Sequence, residues 1–144
     1  MIRKLLVNEV PEIKKLIDPF VKEGLMLPKS LYSLCTSVRD FWIMTSENDP
    51  QEIIGCCALQ VSWMDLAEIR TLAVKREYQG RGVGRALVGA CIREAHDLKL
   101  KTLFTLTYVP DFFRKAGFLE VDKSTLPNKI WGDCIHCQYF PDCR

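Results

Sequence analysis

Three glycines at alternate positions stand in the segment Gln79-Gly80-Arg81-Gly82-Val83-Gly84-Arg85. An apolar run ends just before them at Leu72-Ala73-Val74, and an amphipathic stretch begins just after them. A strand that feeds such a loop and passes at once into a helix leaves unpaired N–H groups pointing outward, where the peptide dipoles also favour negative charge. Glycine suits the loop because an anion must come within hydrogen-bond distance of the main chain, and a Cβ would obstruct it. Arg76, Arg81 and Arg85 add cationic side chains beside the same opening. These are the parts of a pyrophosphate cradle, and the plain alternative is a tight turn with solvated arginines. The spacing departs both from the Gly-x-x-x-x-Gly-Lys-Ser/Thr phosphate loop and from the Gly-x-Gly-x-x-Gly dinucleotide fingerprint.

A second group of chemically capable residues crowds the end of the chain, where Cys134, His136, Cys137 and Cys143 offer four soft ligands, the number a structural zinc takes. Their spacing argues against a metal: His136 sits between its two cysteines and Cys143 is almost terminal. A capping tail of reduced thiols is the favoured reading, with zinc as the lesser one and a redox or disulfide role as the least. Cys35, Cys56, Cys57 and Cys91 lie in apolar segments and read as reduced core residues. His96 reads as a surface residue of a long helix.

Periodicity supplies the elements that must hold the loop in place. Ile2 to Val7 reads as an opening strand, and Asn8 caps a helix whose inner positions are Val10, Ile13, Leu16, Ile17 and Phe20, with Gly24 as its stop. Pro28 opens a second short helix with Leu31, Leu34 and Cys35 inward. Phe41 to Met44 is a strand, the turn formers Ser46 to Pro50 reverse the chain, and Ile53 to Val61 is apolar enough for a central strand. Leu66 to Val74 follows as a further strand. Beyond the glycines, Leu87, Val88, Cys91, Ile92, Ala95 and Leu98 mark one face of a long helix. Thr102 to Thr107 is a buried strand, Phe112 to Ala116 a short helix ended by Gly117, and Phe118 to Val121 a last strand. The expected fold is α+β, one mixed and mostly antiparallel central sheet flanked by helices.

With 144 residues and 48% apolar side chains the chain suits one globular domain, large enough for a core that buries roughly two-thirds of its unfolded surface. The 20 Lys and Arg against 18 Asp and Glu give a net charge of +2 with no basic block, which argues against nucleic acid as partner. The longest apolar run, Ile53 to Leu59, falls well below the ~20 residues a membrane helix needs, and the opening residues lack a secretory apolar region. A cytoplasmic protein with no membrane contact is expected.

Gln79-Gly80-Arg81-Gly82-Val83-Gly84 matches the acetyl-CoA signature Gln/Arg-x-x-Gly-x-Gly/Ala of the GNAT N-acetyltransferases. Leu72-Ala73-Val74 and Phe112-Phe113-Arg114-Lys115-Ala116-Gly117-Phe118 stand where that family carries its other two marks. The chain resembles most the acetyltransferase domain of N-acetylglutamate synthases, from Ile2 to about Trp131, and particularly in Gly24 to Ser30, Ile53 to Leu59, Ala67 to Ile69, Leu103 to Thr107 and Leu126-Pro127. The resemblance implies an N-acetyltransferase domain over residues 1–131, a Cys-rich tail over 132–144, and no room for the amino-acid-kinase domain of the larger synthases.

That resemblance also implies direct transfer of an acetyl group from acetyl-CoA to the α-amine of an amino acid, L-glutamate foremost, in arginine biosynthesis. Acetylation of a protein N-terminus or other small amine, or a non-catalytic acetyl-CoA-binding module, are the alternatives. The cofactor-binding residues implied are Leu72, Ala73, Val74, Gln79, Gly80, Arg81, Gly82, Val83, Gly84 and Arg85. Glu68 is the implied general base, against a plain reading as a solvent-facing strand residue. Many relatives place a tyrosine acid where this chain has Phe113, so Tyr108 is the candidate for that role. Lys29, Thr107 and Lys129 are the implied contacts to the substrate carboxylates, although Pro28 replaces an arginine of the resembling enzymes. A second copy of the chain is admitted as partner.

Overall fold

Seven residues in succession, Ile53 to Leu59, are buried, which a strand achieves only when both faces of its sheet are covered. The structure, a computed structural model, describes residues 1–107 and 109–121. That buried run opens β3 (Ile53–Trp63), the middle of a five-stranded sheet in the order β1 (Ile2–Lys4), β2 (Phe41–Thr45), β3, β4 (Leu66–Val74) and β5 (Thr102–Thr105). The first four strands pair antiparallel and β5 joins β4 in parallel, so the expected mixed and mostly antiparallel sheet is found.

Alternate residues divide two cores between the faces. Cys56, Ala58, Phe41, Ile43 and Ala73 pack with Val10, Ile13, Leu16 and Ile17 of α1 (Val10–Lys22) and Leu34 of α2 (Leu31–Thr36). Cys57, Leu59, Ala67 and Ile69 pack on the other face with Val83, Leu87, Val88 and Cys91 of α3 (Val83–Asp97) and Phe113 of α4 (Pro110–Lys115). Among the described residues no helix is long and apolar enough to cross a membrane.

Local chemistry explains most element ends and several departures from expectation. Asn8 lies inside a single 3-10 turn, Val7–Glu9, and the carboxylate of Glu9 accepts from the Leu6 N–H at 3.0 Å while pairing with Arg3 at 2.6 Å. The first strand is correspondingly shorter than the apolar run. Gly24, at φ +75°, ends α1 as read. The second helix begins at Leu31 rather than Pro28 because Ser30 Oγ accepts the Ser33 N–H at 3.0 Å. With six residues α2 buries Leu34 alone, so Leu31 and Cys35 are exposed instead of inward. Leu98 lies past the last turn of α3 and is exposed. Phe118 to Val121 is not a strand among the described residues: the Phe118 N–H returns to the Phe113 carbonyl at 2.9 Å and its ring packs on Phe113.

Three of the buried side chains are thiols. Cys91 Sγ lies 3.6 Å from Cys57 Sγ, and that contact together with burial pushes the Cys57 thiol up. Burial pushes Cys56 from 9.0 to about 12. Both groups therefore favour the folded state as neutral thiols below the unfolded value, and for Cys56 that contribution is lost as pH rises from about 9 towards 12. Urea titrations should show unfolding free energy flat through pH 8 and falling above 9, with the alkaline fall reduced in Cys56→Ala. A second prediction concerns the end of α3, where Lys99 takes φ +62° so that the next N–H, that of Leu100, returns to the Ala95 carbonyl at 3.0 Å. A left-handed conformation costs a side chain about 1–2 kcal/mol and glycine almost nothing. After the glycine entropy cost of about 0.4–1 kcal/mol, Lys99→Gly should stabilise by about 0.5 kcal/mol, read as a raised Tm.

Candidate active site

β4 is bonded to β3 along its length and to β5 along less than half of it. The parallel pairing runs from Leu66 with Thr102 to Ile69 with Thr105, and β5 then ends. The expected strand through Thr107 stops two residues short because the Thr107 hydroxyl accepts the Val109 N–H at 2.9 Å and turns the chain into α4 at Pro110. On the β5 side, β4 from Arg70 to Val74 thus has no strand partner among the described residues.

A β-bulge bends β4 at the place where the strands part. Between the pairs Ala58 with Arg70 and Cys56 with Ala73, β3 advances two residues and β4 three. Thr71 absorbs the extra residue at φ +53°, and its carbonyl accepts from the buried Cys56 thiol at 3.3 Å. The neutral thiol that burial enforces is the form that donates.

Past Val74 the chain makes one 3-10 turn, Arg76–Tyr78, and enters the glycine loop. Gln79 Nε2 donates to the Val74 carbonyl at 3.0 Å and ties the loop to the end of β4. Gly80 and Gly82 stand at φ +78° and +83°, and a Cβ at either would meet nothing within 4 Å. Both facts matter: the backbone demands glycine, and open space lies over it. Gly82 is the N-cap of α3, whose first turn holds no acidic residue, so the positive end of a 15-residue helix faces that space. A diphosphate fits this cradle in charge and in room. Gly84 is packed differently, since a Cβ there would come within 3.3 Å of the Phe112 ring. Arg81 lies 5.4 Å over the Tyr78 ring, and Arg85 donates to the Lys115 carbonyl at 3.4 Å. Arg76, expected beside the opening, is instead bound to Glu23 after α1 and stacked on Phe20.

Glu68 sits one residue before the last β4–β5 pair, opposite Gln60 of β3, on the face covered by α1 and α2. Its side chain is 13% exposed, which corrects the picture of a solvent-facing residue. Arg70 Nε lies 3.8 Å from Glu68 Oε1, and Arg70 Nη1 donates to Gln60 Oε1 at 2.5 Å. Sequence reasoning missed Arg70 and Gln60. The i, i+2 spacing of Glu68 and Arg70 already places them on one strand face, whereas Gln60 becomes their neighbour only through the register.

The remaining candidates are distributed as follows. Lys29 lies in the α1–α2 connection, where its carbonyl accepts from Lys14 Nζ at 3.0 Å. Phe113 is buried edge-on between Phe112 and Phe118, at 5.0 and 5.3 Å between ring centres. Tyr108, Lys129, Cys134, His136, Cys137 and Cys143 lie outside the described residues, as does the 131/132 boundary. Among the described residues no group of three or more His, Cys, Asp or Glu side chains could hold a metal ion.

A parallel β-α-β unit that opens beside a glycine-capped helix defines a class, and comparison with known proteins agrees. The acetyltransferase (GNAT) domain family matches residues 37–120, and the chain belongs to that family. It is 34% identical to an amino-acid acetyltransferase of Mycobacterium tuberculosis over 92% of this chain and 76% of that one. It is also 32% identical to an N-acetyltransferase of Chlorobaculum tepidum over 94% and 86%. Among solved structures, N-acetylglutamate synthase from Neisseria gonorrhoeae, complexed with coenzyme A and N-acetyl-glutamate, superposes with a TM-score of 0.86 at 28% identity. The match covers 94% of this chain and 32% of the synthase, so this chain spans about a third of that enzyme. A Mycobacterium tuberculosis protein in complex with CoA superposes at 0.84 with 33% identity, over 94% of this chain and 81% of that one. The chain is an acyltransferase with acetyl-CoA as its co-substrate.

Gly82→Glu should raise the Kd for CoA at least tenfold in calorimetry, because it places a carboxylate where the helix end favours an anion. Its Cβ enters open space, and the left-handed backbone at φ +83° should cost the variant about 1–2 kcal/mol, read as a lowered Tm with the fold retained.

Proposed function

We propose that this chain acetylates the α-amine of L-glutamate with acetyl-CoA, by direct attack and without an acyl-enzyme. The observation that carries the reading is the place of Glu68: a shielded carboxylate one residue before β4 parts from β5, with a glycine-lined helix end past the other end of the parted segment. The N–H groups of Gly82, Val83 and Gly84 hold the diphosphate, with Gln79, Gly80, Arg81 and Arg85 around them. The free edge of Leu72, Ala73 and Val74 pairs with the pantetheine amides as an added strand, and an N–H of that edge polarises the thioester carbonyl.

An amino acid arrives as an ammonium, so Glu68 takes one proton, directly or through a water, and frees the nitrogen lone pair. That pair attacks the carbonyl carbon. The C–N bond forms, the C–S bond breaks and the nitrogen gives up its second proton to solvent, which leaves a neutral amide; CoA departs as a thiolate that water or Tyr108, itself reprotonated from solvent, protonates, and Glu68 returns its proton to solvent. Phe113 takes no part, having no hydroxyl. Lys29, Thr107 and Lys129 receive the substrate carboxylates, a reading supported by the likeness to the amino-acid acetyltransferases. Residues 1–131 form the catalytic domain and 132–144 a tail, in a cytoplasmic setting that suits the unpaired thiols of the core.

Two measurements check this. Free-thiol release from acetyl-CoA should be fastest with L-glutamate or its close analogues among the amino acids and polyamines. Equal rates with all amines would overturn the acceptor. Glu68→Gln should lower kcat about a hundredfold or more while the Kd for CoA stays within about twofold. Retained turnover would remove Glu68 as the base.

A further inference from the structure

We infer that Arg70, anchored by Gln60, is a positioning residue that holds the Glu68 carboxylate aimed and ready for its proton transfer. The inference rests on the reading of Glu68 as base. Three observations carry it. The guanidinium reaches Glu68 Oε1 through Nε at 3.8 Å and, through Nη1, Gln60 Oε1 at 2.5 Å. The cross-strand pairs Gln60 with Glu68 and Ala58 with Arg70 place all three polar side chains on one face. Arg70 and Glu68 are 17% and 13% exposed, so water screens their attraction far less than at the surface.

The physical need follows from where Glu68 stands. A strand carboxylate has several staggered side-chain states, and only those aimed at the substrate amine are productive. Gln60 belongs to a different strand and fixes the guanidinium plane, which then selects one state of Glu68. Gln60 suits the anchor because its amide oxygen accepts the bond without a charge that would compete with Glu68.

The test is a double-mutant cycle on the full chain, with radiolabelled acetyl-CoA so that slow turnover remains readable. Arg70→Met should lower kcat about tenfold or more and leave KM for acetyl-CoA and for L-glutamate within about twofold, with Arg70→Lys in between. In the Glu68→Gln background the same Arg70→Met change should alter kcat less than about twofold, because nothing remains for it to position. Equal losses in both backgrounds would overturn the inference and make Arg70 structural. A raised KM for L-glutamate at unchanged kcat would overturn it in favour of a substrate contact, and an unchanged enzyme would overturn it outright. Should Arg70→Met fail to fold, Gln60→Met run through the same cycle decides by the same pattern with a smaller loss. Full turnover by Glu68→Gln alone is a separate result that removes the base assignment itself.

Discussion

A β-strand carries hydrogen-bonding groups on both edges, and the structure turns on leaving one edge of β4 unfinished. Five residues of that strand, Arg70 to Val74, lie beyond the last β5 pair at Ile69 and Thr105. Open edges are normally covered or blunted because they recruit other chains. Here the stretch is short, bent by the bulge at Thr71, and bordered by α4 and the glycine loop, which restricts what can pair with it. An extended ligand with amide groups answers that description, and the helix end past Val74 answers an anion at one end of such a ligand.

The two cores fix this opening from either side. α1 and α2 cover the face that bears Glu68, while α3 and α4 cover the face into which Cys57, Leu59 and Ile69 project. Gly55 shows how close the helix lies, since a Cβ there would come within 3.0 Å of Leu87 and Val83. That approach sets where the N-terminus of α3 stands relative to the end of β4.

Much of this was legible in the sequence, for physical reasons that differ by element. β4 runs from Leu66 to Val74 as read, and β3 announces itself by a buried apolar run too long for a half-exposed strand. Gly80 and Gly82 are legible because glycine is the residue that takes positive φ freely. Thr71 and Lys99 are not, since side-chain-bearing residues held there by bulge and helix-end bonds leave no compositional mark. The ion pair of Glu68 with Arg70 is half legible from alternation, whereas Gln60 needs the register of a strand eight residues upstream. Phe118 to Val121 misleads because its apolar pattern suits a strand, while the bond from Phe118 to Phe113 commits it to the end of α4. The inward face ascribed to α2 fails because so short a helix presents one buried position.

Amide hydrogen exchange with and without CoA tests the open edge and the cradle most directly. Binding should slow exchange together at Leu72 to Val74 and at Gly80 to Gly84, while amides at the far end of the sheet, such as those of β1, keep their rates. Protection confined to other segments, or no protection at saturating CoA, would contradict the account.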